Sequence, residues 1–173
     1  ADGKPTVRDD DAAVAPPPAG VLRWIDLVNP DAAALDLLRV RFDFDPLAIE
    51  DCATYGLQSK LDDFDRYLFL VVHGFTADPL DPLEIQIHEV HAFLAETYLG
   101  TVHENPLPSA EVVWRRARDD RQCFERGPSW ILYQHVEAIT DATGPLVERI
   151  TDELDALERA VIEETRAVTL SQV

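Results

Sequence analysis

An α/β fold, a three-layer α/β/α sandwich with a mixed sheet followed by a long C-terminal helix, is predicted by three observations. Apolar runs of strand length recur at 21–28, 67–72, 84–94 and 98–103. Two segments between the first pair begin with proline and read as helices, so helices and strands interleave. From Ser129 to about Thr165, Leu132, Val136, Ile139, Thr143, Leu146, Ile150, Leu154, Leu157 and Val161 recur alternately at three and four residues, a seam that packs on another helix.

Taken in order, residues 1–20 carry Asp9 to Asp11 and Pro16 to Pro18 and have little to bury, which predicts a flexible tail. Residues 21–128 form the α/β domain and 129–173 the long helix. After the strand at 21–28, Asn29 is a plausible cap and Pro30 a first helical residue. That helix runs to about Arg41, with Leu35, Leu38 and Phe42 on one stripe. Pro46 opens a second helix that ends near Thr54, ahead of Gly56. The unbroken run containing Leu68, Phe69, Leu70 and Val71 predicts a central strand covered on both faces, with Trp24, Ile25 and Phe93 in the same core. Asp78 to Pro82 reads as a turn. Strands at 84–94 and 98–103 form a hairpin, and the parity change between Ile85, Ile87 and Val90, Ala92, Leu94 predicts a bulge or an early end in the first. Ser109 caps a helix running to about Arg118, and Gly144-Pro145 predicts a kink in the long helix.

Composition narrows the function classes. With 15 basic residues against 33 acidic ones, the net charge of −18 disfavours nucleic acid and anionic lipid and favours cations. Cys52 and Cys123 lack metal-type or redox-type spacing and read as reduced thiols. No run approaches the roughly 18 apolar residues of a membrane span. The absence of methionine suggests a piece of a longer protein.

Trp24-Ile25-Asp26, Asp45 to Asp51, Lys60 to Val72, Glu89 to Leu94 and Tyr98 to Glu104 follow one another over about residues 21–166. In that order they resemble the cytosolic domain of CorA-type magnesium transporters. The resemblance implies a regulatory, cation-sensing domain at the cytoplasmic face of the membrane, homo-oligomeric (a pentamer) in the full-length protein. It implies Mg2+ as the cation, with Co2+, Ni2+ or Zn2+ as alternatives. It also implies membrane attachment only through a C-terminal segment, with stalk and pore, that this chain does not include. The regulatory metal ligands carried over are Glu50, Asp51 and Glu137, with a last ligand supplied by a neighbouring subunit's stalk helix.

Glu50 and Asp51 are helical neighbours whose side chains diverge by about 100°, which suits two nearby sites better than one chelate. Magnesium often takes only one or two protein carboxylates, so scattered acidic groups at a subunit boundary are a sensible arrangement. The plain alternative is that all three are solvated helix charges. Zinc transporters of the ZntB type share the architecture. However, His88 and His91 differ in strand parity, and none of His73, His88, His91, His103 and His135 makes a helical i,i+4 pair. A metal-dependent hydrolase using Glu50, Asp51 and a histidine is the different-class alternative. The chain lacks a phosphate loop, a nucleophile elbow or a His-Glu-x-x-His helix, so no catalysis is expected.

Overall fold

The computed structural model describes residues 6–9, 11–77 and 84–171, with side chains throughout except at 121 and 164–171. The strands are β1 (Arg23–Val28), β2 (Lys60–Asp63), β3 (Leu68–Ala77), β4 (Ile85–Leu94) and β5 (Tyr98–His103). The helices are α1 (Ala32–Phe42), α2 (Pro46–Ala53), α3 (Pro108–Asp119), α4 (Arg121–Glu125) and α5 (Pro128–Ser171). The sheet order is β1-β5-β4-β3-β2, with β1 parallel to β5 and every other pair antiparallel. The sheet is therefore mixed.

Alternation along the strands sends side chains into two helical layers. Ile25, Phe69, Val71, Phe93 and Val102 meet Leu35, Leu38 and Phe42 of α1 and Ala48 and Cys52 of α2. On the other face, Trp24, Ala92 and Leu99 meet Val113 and Ala117 of α3, Cys123 of α4, and Ile131 and Leu132 of α5. A satellite cluster joins Val90, Leu107, Ala110 and Ile139. Both cysteines are buried free thiols, and burial raises the pKa of each.

The strand expected to be central, β3, is next to the edge. The centre is β4, where Glu89 to Phe93 are all buried. Trp24, Ile25, Phe69, Val71 and Phe93 are buried, whereas Leu68 and Leu70 alternate onto the opposite face of β3 from Phe69 and Val71 and are half-buried there. β4 has no bulge: its register with β3 is unbroken from Leu68↔Leu94 to Ala77↔Ile85. Its parity change arises instead because both faces are covered at 89–93, while Ile85 and Ile87 are exposed.

Helix α1 is capped by Asp31, which accepts from the Ala34 N–H at 2.8 Å, and not by Asn29, which takes a left-handed φ of 47°. Helix α3 starts at Pro108. Leu107 holds the cap position with no side-chain cap, because it is anchored in the Val90–Ile139 cluster. Helix α5 continues through Pro145 as one element. Within the expected tail, Asp11–Ala13 form a single 3-10 turn and Val14 joins the core. Arg41 Nη1 donates to the carbonyls of Asp11 and Val14, and Arg23 Nη1 to those of Ala13 and Ala15. The expected turn at Asp78 to Pro82 lies outside the described residues.

Candidate functional site

The acidic helix α2 is set by its ends. Asp45 accepts from the Leu47 N–H at 2.8 Å and Pro46 occupies the first turn, both favourable at a helix start. Thr54 closes the helix, and Gly56 at φ +96° turns the chain toward β2. This start and stop direct Ala48 and Cys52 into the core, place Glu50 in solvent and leave Asp51 half-buried at the sheet edge.

Asp51 does not stand alone. Its Oδ2 lies 2.7 Å from Lys60 Nζ, and the same Nζ lies 2.8 Å from Asp62 Oδ2. Lys60 and Asp62 are two apart on β2 and so share the sheet face on which α2 sits. Lys60 Nζ also lies 5.3 Å from the centroid of the buried Phe69 ring. Hydrogen bonds to Asp51 and then Asp62 raise the pKa of Lys60, so the ammonium is held charged. Two hard carboxylate oxygens thus converge on one positive charge, the donor chemistry that magnesium takes.

Glu137 lies elsewhere. It is half-buried on α5, across the sheet from α2, and its two oxygens accept from Tyr133 Oη at 3.0 Å and Gln134 Nε2 at 2.9 Å. One chain therefore brings Asp51 together with Asp62, leaves Glu50 solvated, and keeps Glu137 apart.

The loop after α2 is fixed from the sheet. Glu89 Oε2 accepts from the Gly56 and Leu57 N–H groups at 2.8 and 3.0 Å, and Oε1 accepts from His91 Nε2 at 2.5 Å. His73 Nδ1 is 2.7 Å from Ser59 Oγ, and its Nε2 faces Glu89 Oε2 at 3.7 Å. Burial lowers the pKa of His91 and outweighs the opposing pull of Glu89. The carboxylate that could have joined two histidines in a zinc site is committed to backbone donors and His91. Among the described residues no group of three or more His, Cys, Asp or Glu side chains is placed to hold a metal.

A second polar network lies under α5. Trp24 Nε1 donates to Thr101 Oγ1 at 2.9 Å, and Thr101 Oγ1 donates to Asp26 Oδ1 at 2.5 Å. His103 Nε2 lies 3.2 Å from the same oxygen and its Nδ1 lies 2.7 Å from the Asn105 carbonyl. Burial works against a charge on His103, but the Asp26 hydrogen bond prevails and its pKa is raised.

Sequence reasoning missed Lys60, Asp62 and Glu89. The first two share parity in a four-residue strand too polar to be read as one. Glu89 gave no signal, because its partners are backbone donors more than thirty residues away.

The family described as CorA-like Mg2+ transporter protein matches residues 19–173. The chain is 31% identical over 150 residues to the putative metal ion transporter YfjQ of Bacillus subtilis, covering 87% of this chain and 46% of that protein. It is 27% identical over 132 residues to the cobalt/magnesium transport protein CorA of Thermotoga maritima, covering 76% of this chain and 37% of that one. The chain thus spans less than half the length of these relatives. In fold it is similar to the soluble domain of CorA from Methanocaldococcus jannaschii, with a TM-score of 0.64 and 16% identity over 82% of this chain and 56% of that one. It is also similar to full-length CmaX, with a TM-score of 0.66 and 18% identity over 79% of this chain and 41% of that one. Among the described residues, no helix is long and apolar enough to cross a membrane. With the family matching nearly the whole α/β/α domain and the long helix that follows it, this chain belongs to the CorA-like Mg2+ transporter family.

Proposed function

We propose that this chain is the cytoplasmic cation-sensing domain of a divalent-cation transporter, with magnesium as the sensed ion and Asp51 as its principal ligand. The observation that carries the reading is the convergence of Asp51 and Asp62 on a single positive charge at the exposed end of α2. Glu50, the preceding residue of the helix, adds a solvated carboxylate. Glu137 belongs to the sensing set only if a neighbouring copy brings its α5 toward this α2, so the complete site is an inter-subunit one in a homo-oligomer. Cation bound there neutralises carboxylates facing each other across subunits, and its preference for one arrangement of the subunits biases the pore.

A single copy presents a partial ligand set to an ion that dehydrates reluctantly, so its affinity is weak, on the order of millimolar. The test is an amide chemical-shift titration with MgCl2, using KCl at matched ionic strength as the control. Shifts at 50–53 and 60–62 that saturate at millimolar Mg2+ and vanish in Asp51→Asn are expected. Tight binding that persists when Glu50, Asp51 and Glu137 are all changed to alanine would overturn the assignment.

A further inference from the structure

We propose that Lys60 is a tethered counter-cation that occupies the acidic site when divalent ion is scarce, so that the ion binds Asp51 only by displacing it. The proposal rests on the cation-sensing reading above and adds a regulatory part to it.

The geometry is that of an occupied site. Lys60 Nζ takes one oxygen from Asp51 on α2 and one from Asp62 on β2, at 2.7 and 2.8 Å, with the Phe69 ring at 5.3 Å. Magnesium binds oxygen at about 2.0–2.1 Å and keeps several waters, so the ion and the ammonium cannot occupy the same space. All three side chains are partly open to solvent, at 37% for Lys60, 23% for Asp51 and 42% for Asp62, so an ion reaches the site without unfolding the edge. The flexible four-carbon stem lets the ammonium swing aside and return.

Charge makes the exchange directional. Two carboxylates and one ammonium leave a net negative charge, whereas a divalent ion in place of the ammonium neutralises the pair. Because the lysine is tethered, its competition follows an effective local concentration and does not dilute. Lys60 therefore sets the magnesium level at which the site fills. It also changes what filling does mechanically. The ammonium fastens α2 to the edge strand β2, and its release frees β2 from the acidic end of that helix.

Removing the charge while keeping the stem over Phe69 is the direct test. In chemical-shift titrations with MgCl2, Lys60→Met is expected to bind about three- to tenfold more tightly than wild type, the range that loss of two part-exposed ion pairs allows. Lys60→Arg, which keeps the charge, is expected to stay near wild type. In wild type the Lys60 side-chain ammonium and ε-methylene signals are expected to move toward free-lysine values with the same midpoint as the Asp51 amide.

Equal affinities in wild type and Lys60→Met, both abolished by Asp51→Asn, would overturn the counter-cation role and leave the sensing reading intact. Weaker binding in Lys60→Met would overturn it too, by making Lys60 a support for the site. No shift at Asp51 in any variant would remove the sensing reading itself. Thermal unfolding of each variant checks that the domain remains folded, and Lys60→Gln provides a second neutral side chain if Lys60→Met does not.

Discussion

His135 is fully buried beside Trp24, with ring centroids 6.0 Å apart, and neither ring nitrogen has a hydrogen-bond partner. Burial lowers its pKa to about 4. In the unfolded chain the imidazole binds its proton near pH 6.5, so between about pH 6.5 and 4 the unfolded state holds a proton that the native state does not. Stability therefore falls as pH drops through this window, by about 3 kcal/mol in all for this group. His103 works the other way. Its raised pKa adds stability at low pH that is lost as pH rises through the folded value. His135→Leu is expected to flatten the acid limb of urea-unfolding free energy between pH 4 and 6.5, and to leave the domain no less stable at pH 7, since it removes two unpartnered buried nitrogens. An unchanged slope would mean that the ring is hydrated in solution. Thr101 stands at the centre of the adjoining network, accepting from Trp24 and donating to Asp26. Thr101→Val strands a buried indole N–H and removes a partner from a carboxylate, so a loss of about 1–3 kcal/mol is expected in urea unfolding, with an altered near-ultraviolet signal from Trp24.

At the scale of elements, α2 has only eight residues, and isolated helices of that length do not persist in water. Its position depends on Asp45 at the start, on Ala48 and Cys52 in the core, and on the Glu89 clamp on the loop behind it. Asp45→Ala is expected to cost about 1 kcal/mol of stability, with faster amide exchange concentrated in 47–52. Exchange that rises evenly across the domain would deny the cap this local role. Most of the architecture was legible because strong local patterns and packing agree: Pro46 and Gly56 bracket α2, and the alternating apolar spacing of α5 matches its buried Ile139 and Leu146. The legible parts failed where tertiary contact overrides local chemistry. Leu107 takes a cap position by burial, and Val14 gives order to an expected tail through core contact and the two arginines that grip its backbone. The site was half legible. Asp51 was found by resemblance, but the lysine that neutralises it lies on an edge strand whose four residues, Lys-Leu-Asp-Asp, carry no strand pattern.

Across the whole molecule, α5 divides into a packed half and a bare one. Ile131, Leu132, His135, Ile139 and Leu146 are buried against the sheet and α3, while every residue from 151 to 163 is exposed. The bare half keeps an apolar seam, with Leu154, Leu157 and Val161 each about 60% exposed. Its polar positions are mostly acidic: Asp152, Glu153, Asp155, Glu158 and Glu163 against Arg159 alone. A helical segment whose side chains are all exposed gains little from burial, and Glu148 and Asp152, four apart, repel on one face. In the isolated chain, amide exchange is therefore expected to approach the unprotected rate at 151–163, while 131–146 exchange only with global unfolding. Salt screens the acidic repulsion, so 0.5 M KCl should slow exchange in the bare half and leave the packed half unchanged. Equal protection along the whole helix at low salt would show that another surface covers the seam. In that case protection should fall on dilution if the cover is a second copy of the chain, because only an intermolecular contact depends on protein concentration.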